Sequence, residues 1–293
     1  MFSGSIPALV TPFDAAGEPD EAAFRDLVEW QIAEGSSALV ACGTTGEAAT
    51  LDQDEHFRVV RWATEQARGR VPVIAGAGSN DTRVSAANLR AAGQAGADAA
   101  LMVPPYYNRP GQEGIFRHFA ALAADAPLPI ILYNVPARTV TDILPATVIR
   151  IVQAFPGVFA GIKDATGQLQ RVSEHRAALG ADWTQLSGND DLALAFNSLG
   201  GTGCISVTAN VAPRLCADLQ AACASGDYTR ARALHDRLFA LHTALFTDAS
   251  PAPVKYALTR VRPGFPPTLR LPMTGASAAS CEAVDAGLSH VGL

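Results

Sequence analysis

An α/β chain folded as a (β/α)8 barrel of the TIM type with a C-terminal helical extension is what this sequence predicts, from three observations. Eight short apolar or β-branched runs begin near Ser5, Ser37, Val71, Asp98, Pro129, Val158, Trp183 and Gly203, roughly 20 to 34 residues apart, about the length of a strand plus its crossover helix. The runs are continuously apolar instead of alternating, as parallel strands buried on both faces require. Amphipathic helical patterns separate them. Eight strand and helix units close a barrel, and the chain is long enough to bury a substantial core.

The elements follow in order. After the run at Ser5, Phe24, Leu27, Val28, Gln31 and Ile32 recur at i, i+3, i+4, i+7 and i+8, and Gly35 stops the helix. Asp52 with Glu55 opens the next helix as a capping-box pair. Past the eighth run the pattern is wholly helical, from about Pro213 through Leu245, then Pro253 to Arg260, then Ala276 to Leu288. No Ser/Gly linker divides this part from the barrel. Residues 1–225 are expected to form the catalytic barrel and 226–293 the extension, whose expected use is packing or oligomerisation.

Composition excludes several function classes. A formal charge of −6 with pI near 5.5 and no basic block argues against nucleic acid. Residues 1–10 lack a positive region followed by a long apolar stretch, and no run of eighteen apolar residues occurs, so a soluble cytoplasmic protein without membrane contact is expected. The five cysteines never fall at Cys-x-x-Cys spacing, and the six histidines form no metal-binding pair. Buried small hydrophobes are the expected role of the cysteines, and no metal is expected.

Barrel enzymes carry their chemistry at the C-terminal strand ends, and reading only those ends collects an informative set. Strand two ends in Gly43-Thr44-Thr45-Gly46-Glu47, strand four in Pro104-Pro105-Tyr106-Tyr107-Asn108, strand five in Tyr133-Asn134, strand six in Lys163-Asp164 and strand seven in Ser187-Gly188-Asn189-Asp190. Twenty of the 22 basic residues are arginine, and only Lys163 and Lys255 are lysine. An amine, unlike guanidinium, loses its proton and becomes a nucleophile. An ordinary lysine leaves about one amine in 2,500 neutral at pH 7, and apolar surroundings are a standard means of raising that fraction.

Lys163 closes the apolar run Val158-Phe159-Ala160-Gly161-Ile162 and is the candidate Schiff-base former; a lysine snorkelling from a strand end into water is the alternative. Lys255 falls in the helical extension and is the weaker amine candidate.

Each partner residue has two readings. Gly43 to Gly46 presents hydroxyls and backbone N–H groups suited to a carboxylate, or is an ordinary turn. Tyr133 near Lys163 moves protons, or is a core tyrosine. Arg138, in a loop beyond Pro136, grips a carboxylate, or lies solvated on the surface. Tyr106 and Tyr107, being adjacent, cannot face the same way, so one suits the site and the other an interface, or both pack. Gly200-Gly201-Thr202-Gly203 precedes strand eight, at the end away from the mouth, and is rejected as a phosphate cradle.

With these positions laid out, the chain resembles the dihydrodipicolinate synthase family of the pyruvate-dependent class I aldolase superfamily, nearly end to end. The resemblance rests on Gly43-Thr44-Thr45-Gly46-Glu47, Pro105-Tyr106-Tyr107-Asn108-Arg109-Pro110, Tyr133-Asn134-Val135-Pro136-Ala137-Arg138, Gly161-Ile162-Lys163-Asp164-Ala165-Thr166-Gly167, Ile205-Ser206-Val207-Thr208-Ala209-Asn210 and Leu269-Arg270-Leu271-Pro272-Met273.

It implies an imine between Lys163 and pyruvate, a pyruvate carboxylate held at Thr45, and proton transfer by Tyr133. It further implies a hydroxyl relay of Thr44, Tyr133 and a Tyr107 from the neighbouring subunit. Arg138 then holds the carboxylate of aspartate semialdehyde, Gly188 and Ile205 line the pyruvate pocket, and no metal or organic cofactor is required. The assembly implied is a homotetramer built as a dimer of dimers.

Where lysine-inhibited members carry a polar effector pocket, His56, Asn80 and Tyr106 match it. Ala48, Gln53 and Val84 replace a serine, a histidine and a glutamate, so feedback by lysine is expected to be weak or absent. The nearest rival is a sugar-acid aldolase of the N-acetylneuraminate or 2-keto-3-deoxy-gluconate type. Arg138 and the paired tyrosines favour a second carboxylate substrate over a polyhydroxylated one. An idle barrel that senses a keto acid is disfavoured by the joint presence of the amine, Tyr133 and the Thr44 and Tyr107 hydroxyls.

Overall fold

A computed structural model describes residues 2–293. Eight strands run in the expected order: β1 (Gly4–Pro7), β2 (Leu39–Ala41), β3 (Val73–Gly76), β4 (Ala99–Met102), β5 (Ile130–Asn134), β6 (Phe159–Asp164), β7 (Thr184–Ser187) and β8 (Gly203–Ser206). Each starts within about two residues of its expected place. All pairings are parallel, each strand beside its sequence neighbour, with β8 against β1. The ring closes where Ser37 N donates to Ser5 O and Leu9 N to Val40 O, both at 2.9 Å, through a parallel bridge between Ala8 and Val40.

Around the ring lie α1 (Glu21–Ala33), α2 (Gln53–Ala67), α3 (Thr82–Gln94), α4 (Gln112–Ala123), α5 (Pro136–Thr139), α6 (Pro145–Ala154), α7 (Gln170–Leu179), α8 (Ala193–Ser198) and α9 (Pro213–Ala224). The chain ends in α10 (Tyr228–Ala244), α11 (Ala252–Val261) and α12 (Ala278–Val291). The expected capping box is formed at α2: Glu55 N donates to Asp52 Oδ1 at 2.8 Å, and Asp52 N to Glu55 Oε2 at 2.9 Å. In α1 the predicted face is buried at Phe24, Leu27, Val28 and Gln31. The Gln31 amide is satisfied by Ala209 O at 2.8 Å.

The single helical stretch expected from Pro213 to Leu245 is two helices. Gly226 at φ +76° turns the chain between α9 and α10, and Asp227 caps α10 by accepting from Arg230 N at 3.0 Å.

The buried apolar residues fall into an inner layer and two outer ones. Ile6, Val40, Ile74, Leu101, Ile131 and Leu186 fill the barrel. One outer layer runs without a break from Phe24, Leu27 and Val59 to Leu238, Leu258 and Val284, so the extension and the first barrel helices bury one common surface. A second lies under α4 and α6. No helix of the described residues is long and apolar enough to cross a membrane.

Candidate active site

Side chains alternate across a strand, so in the β5 segment Ile131, Tyr133 and Val135 point inward together. The parallel register aligns Tyr133 with Lys163 on β6, and Lys163 with Leu186 on β7. Paired residues in parallel strands face the same side, which puts the Lys163 amine inside the barrel beside two interior residues. Its Nζ lies 4.2 Å from the centroid of the Tyr133 ring, a cation–π contact. Both residues are only 6% exposed. Among the described residues no salt bridge involves Lys163, although Asp164 follows it. Asp164 is turned to Thr166, accepting from that residue's N at 2.8 Å and Oγ1 at 2.6 Å.

A cavity of about 460 Å³ opens at this end of the barrel. Tyr133 and Thr44 line it, and Arg138 stands on its rim. The guanidinium is exposed and forms no salt bridge among the described residues, so its fork is available to a carboxylate. The expectation of a loop around Arg138 is corrected. Pro136 occupies the first position of the one-turn helix α5, where its fixed φ and missing N–H suit a helix start, and Arg138 is carried on that turn.

The Gly43–Glu47 segment is a tight turn: Gly46 N donates to Gly43 O and Glu47 N to Thr44 O, each at 3.1 Å. Close packing explains a glycine at Gly46, since a Cβ there would stand 3.0 Å from Leu9 O and 3.3 Å from Cys42 N. Thr11 Oγ1 fastens the turn from below, donating to Gly46 O at 2.7 Å. Thr44 is exposed to the cavity and Thr45 is buried at 5% exposure.

The two tyrosines diverge. Tyr106 lines the cavity, whereas Tyr107, at φ +71°, is 90% exposed and lies outside the cavity wall of its own chain. Gly188 and Ile205 also lie off that wall. Gly188 N donates to Asp164 O at 2.7 Å, and a Cβ on it would stand 2.6 Å from Ala165 Cβ, so only bare backbone fits. Ile205 is buried in the barrel interior.

His56 lines the same cavity as Ala48, Gln53 and Val84. Its Nε2–H donates to Gly76 O at 2.6 Å, and burial pushes the imidazole pKa down against that bond's opposing effect. Asn80 is off the wall, its carbonyl accepting from Asn108 Nδ2 at 2.9 Å. Among the described residues no group of three or more His, Cys, Asp or Glu is placed to hold a metal. Four cysteines are buried and Cys281 is half-buried, all unpaired.

Sequence reasoning missed what Lys255 does. Its side chain is fully buried, with Nζ 2.6 Å from Glu47 Oε1, donating to Thr268 O at 2.7 Å, and 4.3 Å from the Phe13 ring centroid. Burial pushes its pKa down, while the charge of Glu47 opposes that shift. Glu47 Oε2 accepts from Arg270 N at 3.1 Å. The extension, expected to serve packing or oligomerisation, also contributes Ser250, Pro251, Pro272 and Met273 to the cavity wall. The one signal in the sequence was a lysine kept amid the apolar pattern of α11.

Residues 1–291 match the Dihydrodipicolinate synthetase family. The chain is 63% identical over 295 residues to a 4-hydroxy-tetrahydrodipicolinate synthase of Rhizorhabdus wittichii, covering 100% of both. Among solved structures it is similar to a chloride-inhibited dihydrodipicolinate synthase from Acinetobacter baumannii complexed with pyruvate, at 41% identity and TM-score 0.96, covering 100% of this chain and 99% of that one. It is likewise similar to the enzyme of Cyanidioschyzon merolae with lysine bound, at 35% identity and TM-score 0.95, covering 99% and 98%.

Proposed function

The chain belongs to the dihydrodipicolinate synthetase family, and from that premise we propose that Lys163 is the amine through which it works. The reaction is the condensation of pyruvate with L-aspartate 4-semialdehyde to 4-hydroxy-tetrahydrodipicolinate, a lyase step of lysine and diaminopimelate biosynthesis. The observation that carries the assignment is the strand register that sets Lys163 against Tyr133 inside the barrel.

The Lys163 amine attacks the keto carbon of pyruvate, and loss of water from the carbinolamine leaves a protonated imine. That cation draws electrons from the adjacent methyl group, whose proton departs to give an enamine. The enamine carbon bonds to the aldehyde carbon, and the aldehyde oxygen takes a proton. The amine of the semialdehyde then attacks the imine carbon, closes the ring and releases Lys163.

Tyr133 is the proton carrier, with Thr44 and a Tyr107 from the neighbouring subunit completing a hydroxyl relay. The exposure of Tyr107 outside its own cavity supports that reading. Thr45 and the turn around it receive the pyruvate carboxylate, with backbone at Gly188 and Ile205 closing the pocket, and Arg138 receives the second carboxylate. The imine supplies the electron sink, so this route needs no metal or organic cofactor. The enzyme works in the cytoplasm as a homotetramer, a dimer of dimers, with its catalytic groups on the barrel of residues 1–225 and residues 226–293 as the extension.

His56, Asn80 and Tyr106 form a degenerate lysine-effector site. The carboxylates on the cavity wall are already engaged, Glu47 by Lys255 and Arg270, and Asp52 by the α2 backbone. An ammonium placed beside Val84 lacks a counter-charge. Sub-millimolar lysine is therefore expected to change the rate by less than about twofold, whereas a buried counter-charge would make inhibition strong.

The deciding experiment is borohydride reduction in the presence of pyruvate followed by peptide mapping. A reduced adduct on Lys163 is expected. An adduct on another residue, or none, overturns the assignment. Parallel assays with aspartate semialdehyde and with sugar acids separate the synthase from its rival.

A further inference from the structure

We propose that the second lysine, Lys255, acts with Glu47 and Arg270 as a positioning device for pyruvate, by which the C-terminal extension holds the Gly43–Glu47 turn in its binding shape. The inference rests on the reading that Lys163 binds pyruvate and that this turn receives its carboxylate.

Glu47 ends the turn in the left-handed region, at φ +54°, where a residue with a Cβ is held only if its surroundings impose it. Its backbone N–H closes the turn on Thr44 O at 3.1 Å, so the backbone of Glu47 and the position of Thr44 are set together. The Glu47 carboxylate is gripped wholly from the extension: Oε1 by the Lys255 ammonium of α11 at 2.6 Å, Oε2 by the Arg270 backbone N–H at 3.1 Å.

The Arg270 guanidinium spans the other end of the same segment. It donates to Thr50 O at 2.8 Å, to Glu55 Oε2 at 2.7 Å and again to Glu55 Oε1, and to Gly17 O at 2.7 Å. The stretch from the turn to the start of α2 is thus pinned at both ends by residues remote in sequence.

Stability alone does not account for the pair. A buried ion pair replaced by apolar groups of similar volume is often as stable or more so. What an ion pair on one oxygen and a backbone hydrogen bond on the other provide, and a leucine does not, is a fixed direction for the Glu47 side chain and hence for the backbone that carries it.

Three variants test this: Glu47→Gln, Lys255→Met and the double variant with both changes. The double variant removes both charges together and remains the test should Lys255→Met leave Glu47 unpaired and fail to fold. The readouts are the pyruvate concentration for half-maximal borohydride trapping on Lys163, and the separate KM values for pyruvate and the aldehyde. Glu47→Gln and the double variant are expected to raise the half-trapping concentration and pyruvate KM by about tenfold or more, exceeding both the fall in kcat and any change in aldehyde KM.

A lower thermal midpoint with unchanged pyruvate KM and half-trapping concentration would overturn the inference and leave the trio merely structural. Lys163→Ala separates the two levels. If it still traps pyruvate, the underlying site reading fails. If it loses trapping while the Glu47 variants keep parental half-saturation, only the positioning role fails.

Discussion

Arginine outnumbers lysine twenty to two in this chain, and the two lysines are held in opposite ways. Lys255 is fully buried against a carboxylate, whose charge opposes the downward push of burial on the amine's pKa. Lys163 sits among interior barrel residues beside an aromatic face, with no salt bridge among the described residues. Substituting Lys163→Arg keeps the charge and removes the nucleophile. A fall in kcat of at least about a thousandfold, about 4 kcal/mol of barrier, is expected in a coupled assay; parental turnover would exclude Lys163 as the covalent group. Lys255→Met is expected to lower stability by about 3–5 kcal/mol in urea unfolding by stranding Glu47. The double change with Glu47→Gln should lose less, because it strands no charge.

Among the elements, α2 joins local and distant order. Asp52 and Glu55 cap it reciprocally, and Glu55 also takes the Arg270 fork, whose hydrogen bonds hold the Glu55 carboxyl below its usual range. Asp52→Ala is expected to cost about 1 kcal/mol by chemical denaturation, the usual worth of an N-cap. The cap was legible because it is local: a polar acceptor and a carboxylate three residues apart before an amphipathic run. Strands β2, β3 and β4 were legible because each is a short run of apolar residues on both faces. The break between α9 and α10 was not separated from the surrounding helix pattern, although Gly226 marks it. The short α5 read as a loop because one turn is too brief to show periodicity.

For the whole molecule, buried and half-buried histidines dominate the response to mild acid. His56, His118, His175 and His242 all have imidazoles pushed down by burial, His118 to about 4. Each binds a proton more readily unfolded than folded. The stability they contribute is therefore present above the unfolded value of about 6.5 and lost as pH falls through the folded values. The carboxyls of Glu55 and Asp142, held down by Arg270 and Arg171, add a second loss below about pH 4. Urea midpoints should fall from about pH 6.5 downward, and His118→Gln should flatten the slope between about pH 6.5 and 4. A midpoint constant down to pH 5 would contradict this assignment.

By itself the sequence determined the barrel and its strand ends, near which Tyr133 and Lys163 stand. Those features are written in short-range patterns: apolar runs of strand length, helical periodicity, and polar residues where each run stops. Only the tertiary structure decided which strand partner Lys163 meets, that Tyr107 leaves its own cavity, and that Glu47 is clasped by Lys255 and Arg270. The physical reason is distance along the chain. An ion pair joining residues more than two hundred positions apart leaves no period or spacing to read, and it exists only once the ring has closed and the extension has packed against it.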